Sequence, residues 1–290
     1  MTKIPGWAEA SAKPRQLGVP AMELGEGPVW DAASQELYWI DIPACLVYRL
    51  GPDGTLSSWQ AGLPIGSVFP RAAGGLILPA RGGFLVLDTA TGAVSMLAEA
   101  EADKPDNRMN DGACDSAGRL YAGTMAADES PGKGALYRLD PDLTLTELVS
   151  GVSVSNGIGW SPDNTLMYYS DSLAYRIDVF DYDAATGDIA GQREFAPFGG
   201  GDVEPDGLTV DAQGGVWVAA WGGGTLTRYQ PDGSVDRVVE FPHPHVTSAA
   251  FAGPGLDLLY VTTAAGPAGD GGLFLLRPGI TGLPAHRFGG

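Results

Sequence analysis

Four short segments of the chain share one layout: an oxygen-bearing side chain, a glycine within two residues, a second turn signal about five residues on, and then a strand. They are Glu26-Gly27-Pro28-Val29-Trp30-Asp31, Asn110-Asp111-Gly112-Ala113-Cys114-Asp115, Asn156-Gly157-Ile158-Gly159-Trp160-Ser161 and Asp206-Gly207-Leu208-Thr209-Val210-Asp211. The last three recur at intervals of roughly 46 to 50 residues, and the first precedes them by about two such intervals, which is the period of a propeller blade. Equivalent positions in successive blades face one central axis. One carboxylate or amide per blade, aimed at that axis, makes a cage of oxygens, and oxygen cages hold hard cations.

A second series lies behind the first. Apolar runs at residues 46–50, 85–87, 136–139, 177–180 and 226–229 each lead into a turn rich in Asp and Gly. Such turns reverse the chain because Gly accepts positive φ and Asp caps its own turn. Between the two series lie six still more apolar runs, at residues 37–40, 76–78, 120–123, 166–169, 216–220 and 258–262, as expected of strands sandwiched between neighbouring blades. The 43 glycines and 22 prolines suit a chain of many tight turns, and no segment shows a sustained helical period. The expected fold is all-β, a six-bladed β-propeller with a central metal-binding channel. Its blades start near Glu26, Gly66, Asn110, Asn156, Asp206 and Thr247, in one domain spanning residues 1–290 with residues 1–15 as a peripheral segment. Ring closure is expected from residues 16–20 joining the blade that residues 273–288 complete, which removes an exposed sheet edge.

The formal charge of −18 argues against nucleic acid or an anionic membrane as a partner and leaves cations and neutral small molecules. Cys45 and Cys114 form neither a disulfide framework nor a zinc signature. Residues 1–20 carry Lys3, Glu9, Lys13 and Arg15 without an uninterrupted apolar stretch, unlike a secretory signal. A cytoplasmic protein, with a monomer as the default state, is expected.

Aligning the blades puts Gly66-Ser67 and Thr247-Ser248 in the register held elsewhere by Glu26, Asn110, Asn156 and Asp206. Two blades therefore lack a strong ligand, and a metal with open positions can act as a Lewis acid on a substrate. A donor set without His or Cys favours calcium, magnesium or manganese, while two carboxylates also accept zinc or ferrous iron. Taken singly, each dipeptide is also an ordinary turn signal.

The run Asn107-Arg108-Met109-Asn110-Asp111-Gly112, followed by Asp115-Ser116-Ala117-Gly118-Arg119-Leu120-Tyr121-Ala122-Gly123-Thr124-Met125, resembles the regucalcin, gluconolactonase and luciferin-regenerating enzyme family. Leu24-Gly25-Glu26-Gly27-Pro28, Ser155-Asn156-Gly157 with Trp160-Ser161-Pro162-Asp163, and Pro205-Asp206-Gly207 with Asp211 match its other signatures in order, over roughly residues 20 to 265. The resemblance implies a six-bladed propeller that hydrolyses sugar lactones with one divalent metal, calcium first among the candidates. It implies Glu26, Asn156 and Asp206 as metal ligands, and Arg108, Asn110 and Asp128 as substrate contacts. Around Asp128 the match is poorer.

The chemistry agrees with the residue types. A lactone carbonyl oxygen gains negative charge as water attacks, so a cation on that oxygen stabilises the transition state more than the ground state. Arg108 can add charge-assisted hydrogen bonds. Asp206 is the candidate to take a proton from water, with a metal-bound hydroxide as the competing account. A broader esterase or organophosphate hydrolase and a non-catalytic calcium-binding protein are the alternative functions. A neighbouring Arg108 weakens the last, since a purely structural cation gains nothing from it.

Other conspicuous residues have plainer readings. His243 and His245 shape a loop or rim around Pro244, and Trp30, Trp39, Trp160 and Trp217 fill the space between blades. Trp221 belongs with them or at the channel mouth. The glycine runs at 199–201 and 222–224 lack the lysine and following helix of a phosphate loop.

Overall fold

The computed structural model describes residues 10–290 and contains six four-stranded antiparallel sheets. The first nine residues of the expected peripheral segment lie outside the described residues. In five sheets four consecutive strands follow the chain, and the sixth has the order residues 15–16, 273–276, 258–263 and 246–252. The inner strands are β2 (Gly25–Asp31), β6 (Phe69–Pro70), β10 (Asn107–Cys114), β14 (Ser155–Trp160), β18 (Glu204–Val210) and β22 (Val246–Ala252). The architecture is the six-bladed propeller expected from the repeat.

All six expected apolar runs fall in the second strand of a blade: β3 (Glu36–Asp41), β7 (Leu76–Ala80), β11 (Leu120–Ala126), β15 (Leu166–Asp171), β19 (Val216–Trp221) and β23 (Leu258–Thr263). Every residue of β7, β11 and β23 is buried, because both faces of these strands meet a neighbouring blade. Outermost strands such as β21 (Val235–Glu240) have a solvent face and are mostly exposed. The buried apolar side chains gather between blades: Trp39 stacks on Tyr48 and packs with Tyr260 and Leu273 of the last blade, and Trp217 meets Phe251 edge-on. Both tryptophans are fully buried, and truncating either to alanine costs about 3–5 kcal/mol.

The expected Asp turns form as hairpins. Asp53, Asp142 and Asp232 each accept the backbone N–H two residues on, at 3.0, 2.9 and 2.9 Å. A second set of aspartates ends the inner strands. Asp115 and Asp211 are buried, cap the turn into the next strand, and are paired with Arg119 at 2.5 Å and Arg228 at 2.7 Å. The second turn signal of the opening repeat is thus a structural pin at the end of the inner strand.

Arg15 and Gln16 form β1 and pair with Leu275 and Phe274 of β24 (Leu273–Leu276), so the two chain ends share the last blade. Only the first part of the 273–288 segment completes that blade, because β1 occupies the next position in the sheet. The remainder, interrupted by Pro278, Gly282 and Pro284, crosses the propeller instead. Ala212 N–H donates to Thr281 O at 2.9 Å, Phe288 N–H to Pro70 O at 2.9 Å and Gly289 N–H to Gly118 O at 2.9 Å. Arg287 donates to both carboxylate oxygens of Asp31, at 3.0 and 2.6 Å. This strap ties the fifth blade to the first, second and third.

Candidate functional site

Five inner strands depart from regular pairing at one level of the blade. The irregularities lie between Glu26 and Val29, Met109 and Gly112, Ser155 and Ile158, Pro205 and Leu208, and Val246 and Ser248. A β-bulge re-aims the side chain it carries. Glu26, Asn110, Asp111, Asn156 and Asp206 all sit on these bulges and are all buried. The X-Gly dipeptides are therefore bends inside strands and not the turns between them. Gly27 takes a left-handed φ of 52°, and a Cβ at Gly157 would come within 2.5 Å of Leu208 N, so glycine lets neighbouring inner strands approach.

Aspartates at the ends of second strands brace the approach to two of these bulges. Asp41 accepts from Glu23 N–H at 3.0 Å and Leu24 N–H at 3.2 Å, just before Glu26. Asp171 does the same for Ser153 and Val154, both at 2.9 Å, just before Asn156. Glu26 also accepts the Gly27 N–H at 2.9 Å.

An ordered run of hydrogen bonds crosses the third, fourth and fifth blades. Arg108 Nη1 donates to Asn110 Oδ1 at 2.6 Å, and Asn110 Nδ2 donates to Ser155 O at 2.8 Å and Asn156 Oδ1 at 3.3 Å. Asn156 Nδ2 donates to Ser172 Oγ at 2.8 Å, and Ser172 Oγ donates to Pro205 O at 2.8 Å.

Glu26, Asp111 and Asp206 belong to the first, third and fifth blades, which are not neighbours, yet their charges act on one another. That is possible only where the blades converge. Burial, then repulsion by Asp111, pushes the Glu26 carboxyl up to about 8. Burial pushes Asp111 up to about 6, and burial with repulsion from Glu26 and Asp111 raises Asp206 well above its ordinary value. Burial lowers Arg108, opposed first by the charge of Glu129 and then by that of Glu26. Glu26 and Asp206 both act on the Arg108 guanidinium, as does the exposed Arg81, and with Asp111 the buried carboxylates leave the site short of positive charge.

Among the expected residues, Glu26, Arg108, Asn110, Asn156 and Asp206 come together, and Asp128 stands apart. Its carboxylate is exposed and caps its own turn through Ser130 N–H at 3.1 Å. The acidic side chain of that loop which acts on Arg108 is Glu129. Asp111 was not singled out from the sequence, although it occupies the bulge position held by Gly27, Gly157 and Gly207 in other blades. A carboxylate where three repeats carry glycine was the available signal. Thr247 in the weak register is committed elsewhere, donating to Gly25 O at 2.6 Å.

His243 is buried edge-on to Phe274, and His245 stacks on Trp221 at 4.2 Å with Nδ1 2.9 Å from Ala265 O. Neither belongs to the acidic group. Among the described residues no three or more His, Cys, Asp and Glu side chains gather at metal-ligating distance. The expected ligand set supplies two of these and an amide oxygen. Beyond the bulges lies a cavity of about 340 Å³ lined by Asp111, Trp160, Leu208, Phe251 and residues 283–286 of the strap.

Residues 24–265 match the family described as SMP-30/Gluconolactonase/LRE-like region. The chain is 36% identical to regucalcin of Oryctolagus cuniculus over 283 residues, covering 92% of this chain and 95% of that protein. Its fold superposes on luciferin-regenerating enzyme with a TM-score of 0.87 at 29% identity, covering 95% and 99% of the two chains. A calcium-binding protein, regucalcin, from Agrobacterium tumefaciens gives a TM-score of 0.86 at 30% identity, covering 93% and 95%. No helix among the described residues is long and apolar enough to cross a membrane.

Proposed function

Since the chain belongs to the SMP-30/gluconolactonase/LRE-like family, we propose that it is a metal-dependent lactonase that opens a sugar lactone with water to give the aldonic acid. The substrates are neutral polyhydroxy esters such as glucono-, xylono- and arabinonolactone. The observation that carries this reading is the mutual repulsion of Glu26 and Asp206 in a buried site beside Arg108.

The residues fit a divalent cation. Their donors are all oxygens, and a positive ion at Glu26, Asn156 and Asp206 would offset the burial, and the repulsion added to it, that hold both carboxyls high. Calcium is the first candidate, in line with the calcium-binding description of the Agrobacterium relative, and magnesium, manganese, zinc or ferrous iron suit the same donors. Bound there, the cation supplies a Lewis acid for the ester carbonyl.

The chain's own groups do the rest. Arg108, its guanidinium held by Asn110, is suited to donate to the carbonyl oxygen or to sugar hydroxyls as negative charge grows. Asp206 takes the proton of the attacking water and returns it to the ring oxygen as the carbon–oxygen bond breaks. The opened product ionises to a carboxylate. Glu129 and Glu204, whose charges act on each other, then repel it and favour its release.

The test is proton release over a panel of five- and six-membered sugar lactones, with chelator and with metal restored, measured against spontaneous hydrolysis. A rate above background that disappears with chelator and returns with metal supports the reading. A non-catalytic calcium-binding role is the second reading, and calcium binding without turnover of any lactone would favour it. The positive charge of Arg108 weighs against that role, since it lowers affinity for a cation held only for structure.

A further inference from the structure

The hydrogen-bond run from Arg108 to Pro205 has a fixed direction. A guanidinium can only donate, and a carbonyl oxygen can only accept. The two ends therefore dictate the orientation of every group between them, Asn110, Asn156 and Ser172. The single Ser172 hydroxyl proton goes to Pro205 O at 2.8 Å, so toward Asn156 the serine offers lone pairs alone. Those lone pairs draw in the Asn156 NH2 group and turn its Oδ1 away. Asn110 Nδ2, at 3.3 Å from that oxygen, selects the same orientation from the other side. Reversing the Asn156 amide would break its bonds to both Ser172 and Asn110 and set two NH2 groups against each other.

We propose that Ser172 is a positioning residue that holds the Asn156 amide with its oxygen toward the metal site and couples it to the strand carrying Asp206. The inference rests on the reading of Asn156 as a metal ligand. Ser172 touches neither substrate nor metal in this scheme. It opens the short 3-10 turn Ser172–Ala174, is buried, and is fixed by its own N–H, which donates to Val154 O at 3.0 Å. Its hydroxyl is thus held in place from a strand end, between Asn156 of its own blade and Pro205 of the next.

Without the hydroxyl, the amide loses the acceptor that orients its nitrogen, and ligand groups that lose such support typically lose about 10–100-fold in metal affinity. The experiment is calcium titration calorimetry on metal-free wild type, Ser172→Ala and the size-preserving Ser172→Cys, each repeated in an Asn156→Asp background. A carboxylate presents oxygen on either side, so it has no orientation to lose. The expected result is calcium binding weakened about 10–100-fold by Ser172→Ala and by less than about threefold in the Asn156→Asp background. Melting of the metal-free variants separates this from a general loss of structure.

An unchanged calcium affinity in both Ser172 variants, or the same loss in both backgrounds, overturns the positioning role while leaving the metal site intact. Absence of any calcium binding by the wild type overturns the site reading and this inference with it.

Discussion

Arg108 Nη1 lies 2.6 Å from Asn110 Oδ1, and this contact lets one side chain serve two ends of the site. The guanidinium faces the acidic centre, and the amide it holds passes a hydrogen bond on to Asn156. Its charge should therefore favour catalysis and oppose cation binding, while its hydrogen bond through Asn110 supports Asn156. Replacing Arg108 by methionine is expected to lower kcat/KM on a sugar lactone by about 100-fold, the scale for losing one transition-state donor. Calcium affinity should change far less, because losing the anchor of the Asn110–Asn156 run opposes the gain from removing a positive charge next to the cation. Paired kinetics and calorimetry on one preparation check both halves.

Neutralising a carboxylate should trade binding for stability. In Glu26→Gln and Asp206→Asn, calcium affinity is expected to fall at least about 100-fold, while the metal-free protein melts about 2–4 °C higher. The gain follows because each substitution removes the cost of burying a carboxyl, to which repulsion by neighbouring carboxylates adds. Differential scanning fluorimetry with and without calcium measures both effects.

The same group predicts a pH dependence. Glu26 is raised from 4.5 to about 8 by burial and by Asp111, so between those values the folded, metal-free protein holds a proton that the unfolded chain has lost. Metal-free stability is accordingly greatest at the acid end of this window and declines as pH rises through it. Calcium displaces that proton, and any held by Asp206, so affinity should increase from pH 5 to 8 with proton release near pH 7. Calorimetry in two buffers of different ionisation enthalpy counts the protons.

The strap carries a separate pH signature. Burial raises the Asp31 carboxyl, but hydrogen bonds from Arg287, Ser34 and Ala33 outweigh it and hold the group below its ordinary 3.8. A depressed carboxyl contributes stability that is present above its unfolded value and lost as pH falls through the folded one. Arg287→Ala is expected to cost about 1 kcal/mol at neutral pH, since the arginine is partly exposed, and to cost less as acid protonates Asp31. Urea unfolding at pH 7 and pH 3 checks the difference.

Glu129 and Asp128 are adjacent but differently placed. Glu129→Gln is expected to raise KM for a sugar lactone several-fold through its effect on Arg108, while Asp128→Asn, in its exposed turn, leaves KM nearly unchanged. Steady-state kinetics of the two variants side by side decides between the two acids.

What a single sequence determines here is everything that repeats along it. The blade period, the six apolar second strands and the Asp turns are local properties, set by side-chain periodicity and by residues within a few positions of one another. Glu26, Asn110, Asn156 and Asp206 stand out as a group for the same reason, as matching places in matching repeats, whereas only the family resemblance singles out three of them as ligands. Tertiary structure alone decided the rest. It converted X-Gly turn signals into bulges inside strands, because neighbouring inner strands approach too closely for a Cβ. It brought Asp111 of the third blade against Glu26 of the first and set Ser172 between Asn156 and Pro205. It also carried Arg287 back to Asp31 across the whole ring. None of these contacts follows from spacing, because each depends on the ring closing and bringing residues far apart in the chain within hydrogen-bonding or electrostatic reach.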